Sequence, residues 1–229
     1  MSVPSVWGPR WSRWVGRFLA RVVWNTQVTG RSNVPATGPV LMAANHTGVL
    51  DGPLLHGVVP RPSHVLVKEE MFWGPIGLLL RAAGQISVNR DDGGRTALTA
   101  ALGVLKRGGL VGVFPEGNRG RGDATSARAG IAWLALNGHA SVVPVAVLGT
   151  RRTGESVNKV PWPRRRLAIE FGEPLVIERP PGMSGKLAIE RANEAIRIAL
   201  ARLVDEASAR SGIPLPTDDP QRERSSKPD

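Results

Sequence analysis

The chain has 229 residues, a net charge of +11 at pH 7, a pI near 11.4, 41% hydrophobic residues and no cysteine. Length and apolar content suffice for one sizeable core, while the lack of cysteine excludes disulfides and thiolate-bound metals and suits a reducing compartment. So positive a chain needs negatively charged partners, and phosphorylated ligands, anionic lipid and, on charge alone, nucleic acid would each serve.

In chain order, Trp7, Trp11, Trp14 and Phe18 recur at helical spacing, with Arg10, Arg13, Arg17 and Arg21 on the adjoining flank. This predicts an N-terminal amphipathic helix over residues 1–28 that associates with a membrane, since Trp and Arg together favour the headgroup interface. The same stripe also fits a helix docked on its own core. With no run of about 18 apolar residues and no signal peptide, the chain is expected to lie on a membrane without spanning it. Runs at Val40 to Ala44, Ser63 to Val67, Gln85 to Asn89, Leu110 to Phe114, Val142 to Leu148 and Leu167 to Phe171 read as strands. Helical patterns alternate with them at Leu50 to Val58, Trp73 to Ala83, Arg95 to Lys106, Ala127 to Leu136 and Lys186 to Arg210. Such alternation predicts a single α/β domain over residues 29–210, its mixed, mostly parallel sheet flanked by helices. The apolar segment Met71 to Leu80 reads first as core, and otherwise as a channel lining or lipid contact. Residues 211–229, Pro-rich and charged from Ile213 onward, are expected to be a disordered tail.

Two short motifs carry chemistry. His46 and Asp51 stand five positions apart and would lie about 140° apart on a continuous helix, so they meet only if a turn intervenes. Thr47-Gly48 can make that turn, and Gly52-Pro53 suits the start of a helix. A histidine oriented by a carboxylate can take a proton from a hydroxyl and return it to a leaving group. No cysteine and no G-x-S-x-G elbow is present, so a substrate hydroxyl is a better nucleophile here than an enzyme group. A histidine at a helix start with a chance aspartate nearby fits the same residues. The second motif, Gly108 to Gly122, reads as a buried strand ending at Pro115 and opening into a Gly-rich loop with Arg119 and Arg121. Arginine's fork suits phosphate, and no P-loop pattern competes. An exposed basic turn is the plainer alternative.

These residues carry a family resemblance. The chain resembles the glycerophosphate and lysophosphatidate acyltransferases, whose pattern is four blocks in fixed order. N-H-x4-D is matched by Asn45, His46 and Asp51. Lys68-Glu69, Pro75 to Gly77 and Gly84 to Arg90 match the second block. Phe114 to Arg121 match F-P-E-G-x-R-x-R, with Asn118 where Thr is common and Gly120 where Ser is common. Val142 to Val147 match the V-P-V strand. All four fall between about residues 30 and 150, and the similarity extends to about residue 205.

The resemblance implies a glycerolipid acyltransferase-like fold and transfer of a fatty acyl group from acyl-CoA or acyl carrier protein to lysophosphatidate, in phospholipid synthesis. Glycerol-3-phosphate or another lipid or sugar hydroxyl is the alternative acceptor. It implies His46 as base, Asp51 orienting it, Arg119 and Lys68 holding the acceptor phosphate with Arg90 and Arg121 as second choices, and Glu116 and Gly117 shaping the loop. Backbone amides near the first block are candidates for the oxyanion. Neither metal nor cofactor is implied, and His56, His64 and His139 read as structural or surface residues, with no ligand spacing. The expected location is the cytoplasmic face of a membrane, peripheral or monotopic, against an anionic surface. Arg151-Arg152 and Pro161 to Arg166 form a second basic region that could meet donor phosphates or headgroups, with a solvated loop the default. A nonenzymatic basic module binding nucleic acid is the rival from another class, but the arginines are scattered, no zinc-finger, RRM or KH signature occurs, and no specific nucleic-acid partner is expected.

Overall fold

A strand covered on both faces needs an apolar residue at every position, and all five residues of β2 (Val40–Ala44) are buried. Alternation sends Met42 and Ala44 to a cluster with Ala20, Leu54 and Leu55, and Leu41 and Ala43 to the other face against Ala97, Ala101 and Leu134. The computed structural model describes residues 3–125 and 127–219, which form a seven-stranded sheet. The other strands are β1 (Asn25–Thr29), β3 (Ser63–Lys68), β4 (Ile86–Val88), β5 (Leu110–Val113), β6 (Ser141–Leu148) and β7 (Arg166–Phe171). Their order is β1-β7-β6-β2-β5-β3-β4; β6 and β7 pair antiparallel, and the other described pairs are parallel. Helices α2 (Asp51–Val58), α3 (Gly74–Ala82), α4 (Arg95–Lys106), α5 (Gly130–Gly138) and α6 (Gly185–Ser211) alternate with the strands. Parallel pairing of β2, β5 and β3 brings the residues after all three carboxyl ends to one edge, where α/β sheets bind ligands.

Helix α1 (Trp7–Phe18) continues through a π-helical stretch to Val23. It docks, but not by its aromatic stripe. Gly8, Ser12 and Gly16, four residues apart, form its buried face. A Cβ on Gly16 would lie 2.6 Å from the Pro53 carbonyl oxygen and 2.7 Å from Gly57 Cα, so α1 crosses α2 at backbone contact. Ser12 Oγ lies 2.8 Å from His56 Nε2, and His56 Nδ1 lies 2.8 Å from Ser63 Oγ, a buried polar chain that pins the crossing. The stripe remains outside, with Trp7 68%, Trp14 59% and Phe18 56% exposed. The helical segment expected over 1–28 stops early because Asn25 opens β1, an edge strand paired with β7. Its sequence, Asn-Thr-Gln-Val-Thr, has a single apolar residue, which is why no apolar run announces it.

Two other expectations are corrected. Met71 to Leu80 is not core, since Trp73, Ile76, Leu78 and Leu79 are exposed, while Gly77 meets Phe72 on the covered side. Residues 213–219 are not a free tail: Ile213 and Leu215 pack against the cluster containing Leu148 and Leu203, and Asp218 pairs with Arg151. The remaining tail, 220–229, lies outside the described residues.

Candidate active site

The turn after β2 is built around one carboxylate. Asn45, fully buried, anchors it by donating to the carbonyls of Gly122 and Val147 (3.1 and 3.2 Å) and accepting from the Val147 amide (2.7 Å). The chain then reverses through Thr47-Gly48, and α2 begins at Asp51. Asp51 Oδ2 accepts from His46 Nδ1 (2.8 Å), the Thr47 amide (2.7 Å) and the Gly48 amide (2.8 Å). Its Oδ1 accepts from Thr150 Oγ1 at 2.5 Å. A carboxylate only accepts, so Nδ1 carries the ring proton and Nε2 keeps its lone pair. The Phe114 ring stacks on the imidazole at 4.1 Å, fixing its plane. Asp51 is wholly buried whereas the His46 side chain is 14% exposed, so the carboxylate is shielded and the ring has an outlet. The amides of His46, Thr47, Gly48 and Val49 are all engaged by protein acceptors, so these four candidates for the oxyanion are already occupied.

The Gly-rich loop leaves β5 at Phe114 and folds over this turn. Glu116 Oε1 accepts from the His46 amide at 3.1 Å, and the Gly120 amide donates to the His46 carbonyl at 3.0 Å. Burial, chiefly, pushes the Glu116 carboxyl up to about 8, so it is mostly protonated at neutral pH. Gly117 takes φ +72°, a left-handed conformation that favours glycine, and its carbonyl accepts from Arg90 Nη2 at 2.5 Å. Arg90 also donates to Asn118 Oδ1 at 2.8 Å, so it is tied to the loop from β4's end.

Lys68, Arg90, Arg119 and Arg128 form one cationic cluster. Partial burial first, then Arg90, opposed by Glu70, then Arg119 and Arg128, hold the Lys68 ammonium below its usual range. Burial also lowers Arg119, against an opposing pull from Asp51, and Arg119 Nη1 donates to Asn158 Oδ1 at 2.6 Å. Arg119 also feels Asp51, and the loop that carries it is bonded to the His46 turn, so the cations and the base belong to one region suited to an anion that carries a hydroxyl. Arg121 stands apart, half exposed and 3.5 Å from Asp123.

Thr150, Phe114's stacking, Asn158 and Arg128 escape sequence reasoning. Arg128 stands just before α5 and reads as a solvated charge, yet its Nε would lie 2.3 Å from a Cβ on Gly117. The clue was the glycine, which leaves room for a guanidinium. The second basic region is partly consumed: Arg151 is buried against Asp218, and Arg165 makes two bonds of 2.7 and 2.6 Å to Glu155. His56 and His64 are buried, the latter donating from Nδ1 to the Gly84 carbonyl at 2.6 Å and receiving Arg107. Among the described residues no group of acidic or histidine side chains is arranged to hold a metal ion.

Residues 25–148 match the family model described as Acyltransferase. A 1-acyl-sn-glycerol-3-phosphate acyltransferase of Bacillus subtilis is 30% identical over 151 residues, 65% of this chain and 73% of that protein. The protein of that name in Borreliella burgdorferi is 31% identical over 54% of this chain and 51% of its own length. The human 1-acyl-sn-glycerol-3-phosphate acyltransferase beta is 33% identical over 47% of this chain and 40% of its own. The crystal structure of the 1-acyl-sn-glycerophosphate acyltransferase PlsC from Thermotoga maritima superposes with a TM-score of 0.65 at 24% identity, covering 88% of this chain and 80% of that one, a likeness of fold. With the family model spanning more than half its length, the chain belongs to the acyltransferase family and is an O-acyltransferase.

Proposed function

We propose that the protein transfers a fatty acyl group from acyl-CoA to the free hydroxyl of lysophosphatidate. The observation that carries this reading is the open Nε2 of His46, set by the Asp51 bond at 2.8 Å, on a turn bonded to the loop that bears Arg119 of the Lys68, Arg90, Arg119 and Arg128 cluster. The acceptor's phosphate would rest on the cations, its hydroxyl toward Nε2. His46 takes the hydroxyl proton as the oxygen attacks the thioester carbonyl. The C–O bond forms, the C–S bond breaks on collapse of the tetrahedral intermediate, and the thiolate leaves with the proton from the imidazolium. Asp51 stabilises that imidazolium throughout.

The same reading puts the enzyme on the cytoplasmic face of an anionic membrane. Supporting it, Arg10 and Arg17 lie 4.8 Å over the rings of Trp7 and Trp14, and the exposed Trp73 stands just before α3, which carries the exposed Leu78 and Leu79. That helix ends against α1, where a Cβ on Gly8 would meet Ala82 and Gly84 at 2.6 to 2.7 Å. No helix among the described residues is long and apolar enough to cross a membrane. The test is thiol release from palmitoyl-CoA by wild type and His46→Ala, with lysophosphatidate and glycerol-3-phosphate in parallel. Release that requires lysophosphatidate and falls roughly 10²- to 10⁴-fold in the variant supports the reading. Near-normal turnover of His46→Ala sinks the mechanism, and preference for glycerol-3-phosphate replaces the acceptor.

A further inference from the structure

The geometry points to Arg151 and Asp218 as a brace that holds the Gly-rich loop against the His46 turn, making both positioning residues for the acceptor. Resting on the reading that this loop binds the acceptor phosphate, the inference begins with a residue that composition alone would place in solvent. Arg151 follows β6, and its side chain is only 1% exposed. Burying a guanidinium is costly unless its donors are met by charge and carbonyls. Its two Nη groups are met by three separate pieces of chain, while the buried Nε has no partner among the described residues. Nη1 donates to both Asp218 oxygens at 2.9 and 3.0 Å and to the Glu155 carbonyl at 3.2 Å. Nη2 donates to the carbonyls of Asp218 (2.8 Å) and Gly120 (3.0 Å).

Gly120 is where the brace meets the site. Its carbonyl is held by Arg151 and its amide by the His46 carbonyl, so this one residue is tied at both peptide groups. The C-terminal segment lies directly on it, for a Cβ at Gly120 would come within 3.1 Å of an Asp219 carboxylate oxygen. Gly120 follows Arg119, so a shift at the brace moves the guanidinium expected to hold phosphate. Thr150, the preceding residue, donates to Asp51. Adjacent residues 150 and 151 therefore hold the two halves of the site, one the carboxylate behind the base and the other the loop in front of it. The segment that completes this brace lies beyond residue 148, where the family match ends.

The test uses full-length Asp218→Ala and Asp218→Asn, with Arg119→Ala in parallel. Amide hydrogen exchange across residues 114–122 is read by mass spectrometry, and KM for lysophosphatidate and for palmitoyl-CoA is measured separately. Asp218 is partly exposed near the end of the described chain, so the fold should survive, and the Asn variant keeps one acceptor oxygen. Expected are faster loop exchange and a roughly tenfold higher acceptor KM in Asp218→Ala, an intermediate effect in Asp218→Asn, and an unchanged donor KM. Unchanged exchange overturns the brace whatever the kinetics. Faster exchange with an unaltered acceptor KM, while Arg119→Ala raises it, overturns the positioning role alone. An acceptor KM indifferent to Arg119→Ala as well removes the acceptor-clamp reading, and this role with it.

Discussion

Replacing Asp51 by Asn separates the two functions of that carboxylate, orientation and charge. The amides of Thr47 and Gly48 both point at Oδ2, at 2.7 and 2.8 Å, and only an oxygen can accept from them. The carboxamide oxygen must therefore take that place, leaving its NH2 to face Thr150 Oγ1, which can accept. His46 Nδ1–H keeps its partner, and Nε2 keeps its lone pair. What disappears is the negative charge facing the imidazolium, carried by a side chain wholly shielded from solvent. A hydrogen bond to a charged group contributes about 1.5–3 kcal/mol, so turnover should fall roughly 10- to 150-fold. Asp51→Ala should do more, because two buried amides, a ring N–H and a threonine hydroxyl lose their acceptor at about 1–3 kcal/mol each. Acceptor-dependent thiol release from palmitoyl-CoA and a thermal melt would be recorded for both variants. The expected result is an Asn variant slowed with a near-normal melting temperature and an Ala variant that is both slower and markedly less stable. A loss near 10⁴-fold in Asp51→Asn, the size seen when a histidine is held in the wrong tautomer, would refute the pinned-oxygen argument. Full activity would show that the carboxylate has no part in transfer.

Arg119→Lys removes the planar fork while keeping the charge, so acceptor KM should rise without change in the donor's; equal KM values for both enzymes would move the clamp to Arg90 or Arg128. Gly16→Leu places side-chain atoms where α1 meets Pro53 and Gly57 at backbone distance. Overpacking there should cost about 1–3 kcal/mol in urea unfolding, and an unchanged midpoint would mean that α1 is not docked as described. Burial, aided by His64 and Arg13, lowers His56 from 6.5 to about 4. Above about pH 6.5 the ring is neutral in both states; below it the unfolded chain gains a proton that the folded one refuses until about pH 4. Stability should therefore fall by about 3 kcal/mol as pH drops through that window, and His56→Gln should flatten the slope. An identical slope in the variant would assign the loss to other groups. Trp14→Ser combined with Trp73→Ser should weaken sedimentation with phosphatidylglycerol vesicles while leaving turnover of detergent-dispersed substrate intact; undiminished binding would free both helices of a lipid role.

The sequence by itself determined the order of strands and helices, because buried parallel strands require continuous apolar runs such as Val40 to Ala44 and Val142 to Leu148, and glycine and proline punctuate them. It also determined which two motifs matter, since a histidine, a carboxylate and a glycine-arginine loop are chemically legible wherever they stand. Sequence left β1 unannounced, because an edge strand of Asn, Thr and Gln is held by pairing with β7 and not by an apolar pattern. Whether α1 buries its tryptophans was likewise beyond periodicity: the outcome turned on Gly16 against Gly57, a contact between residues with no side chain to show a preference. Only tertiary structure could decide that Arg128 joins the cluster, that Thr150 supports Asp51 and that Arg151 is sealed by Asp218, 67 residues away. An isolated charge reads the same in sequence whether it is solvated or buried. Only the folded chain brings the carbonyls and carboxylate that permit burial within hydrogen-bond reach.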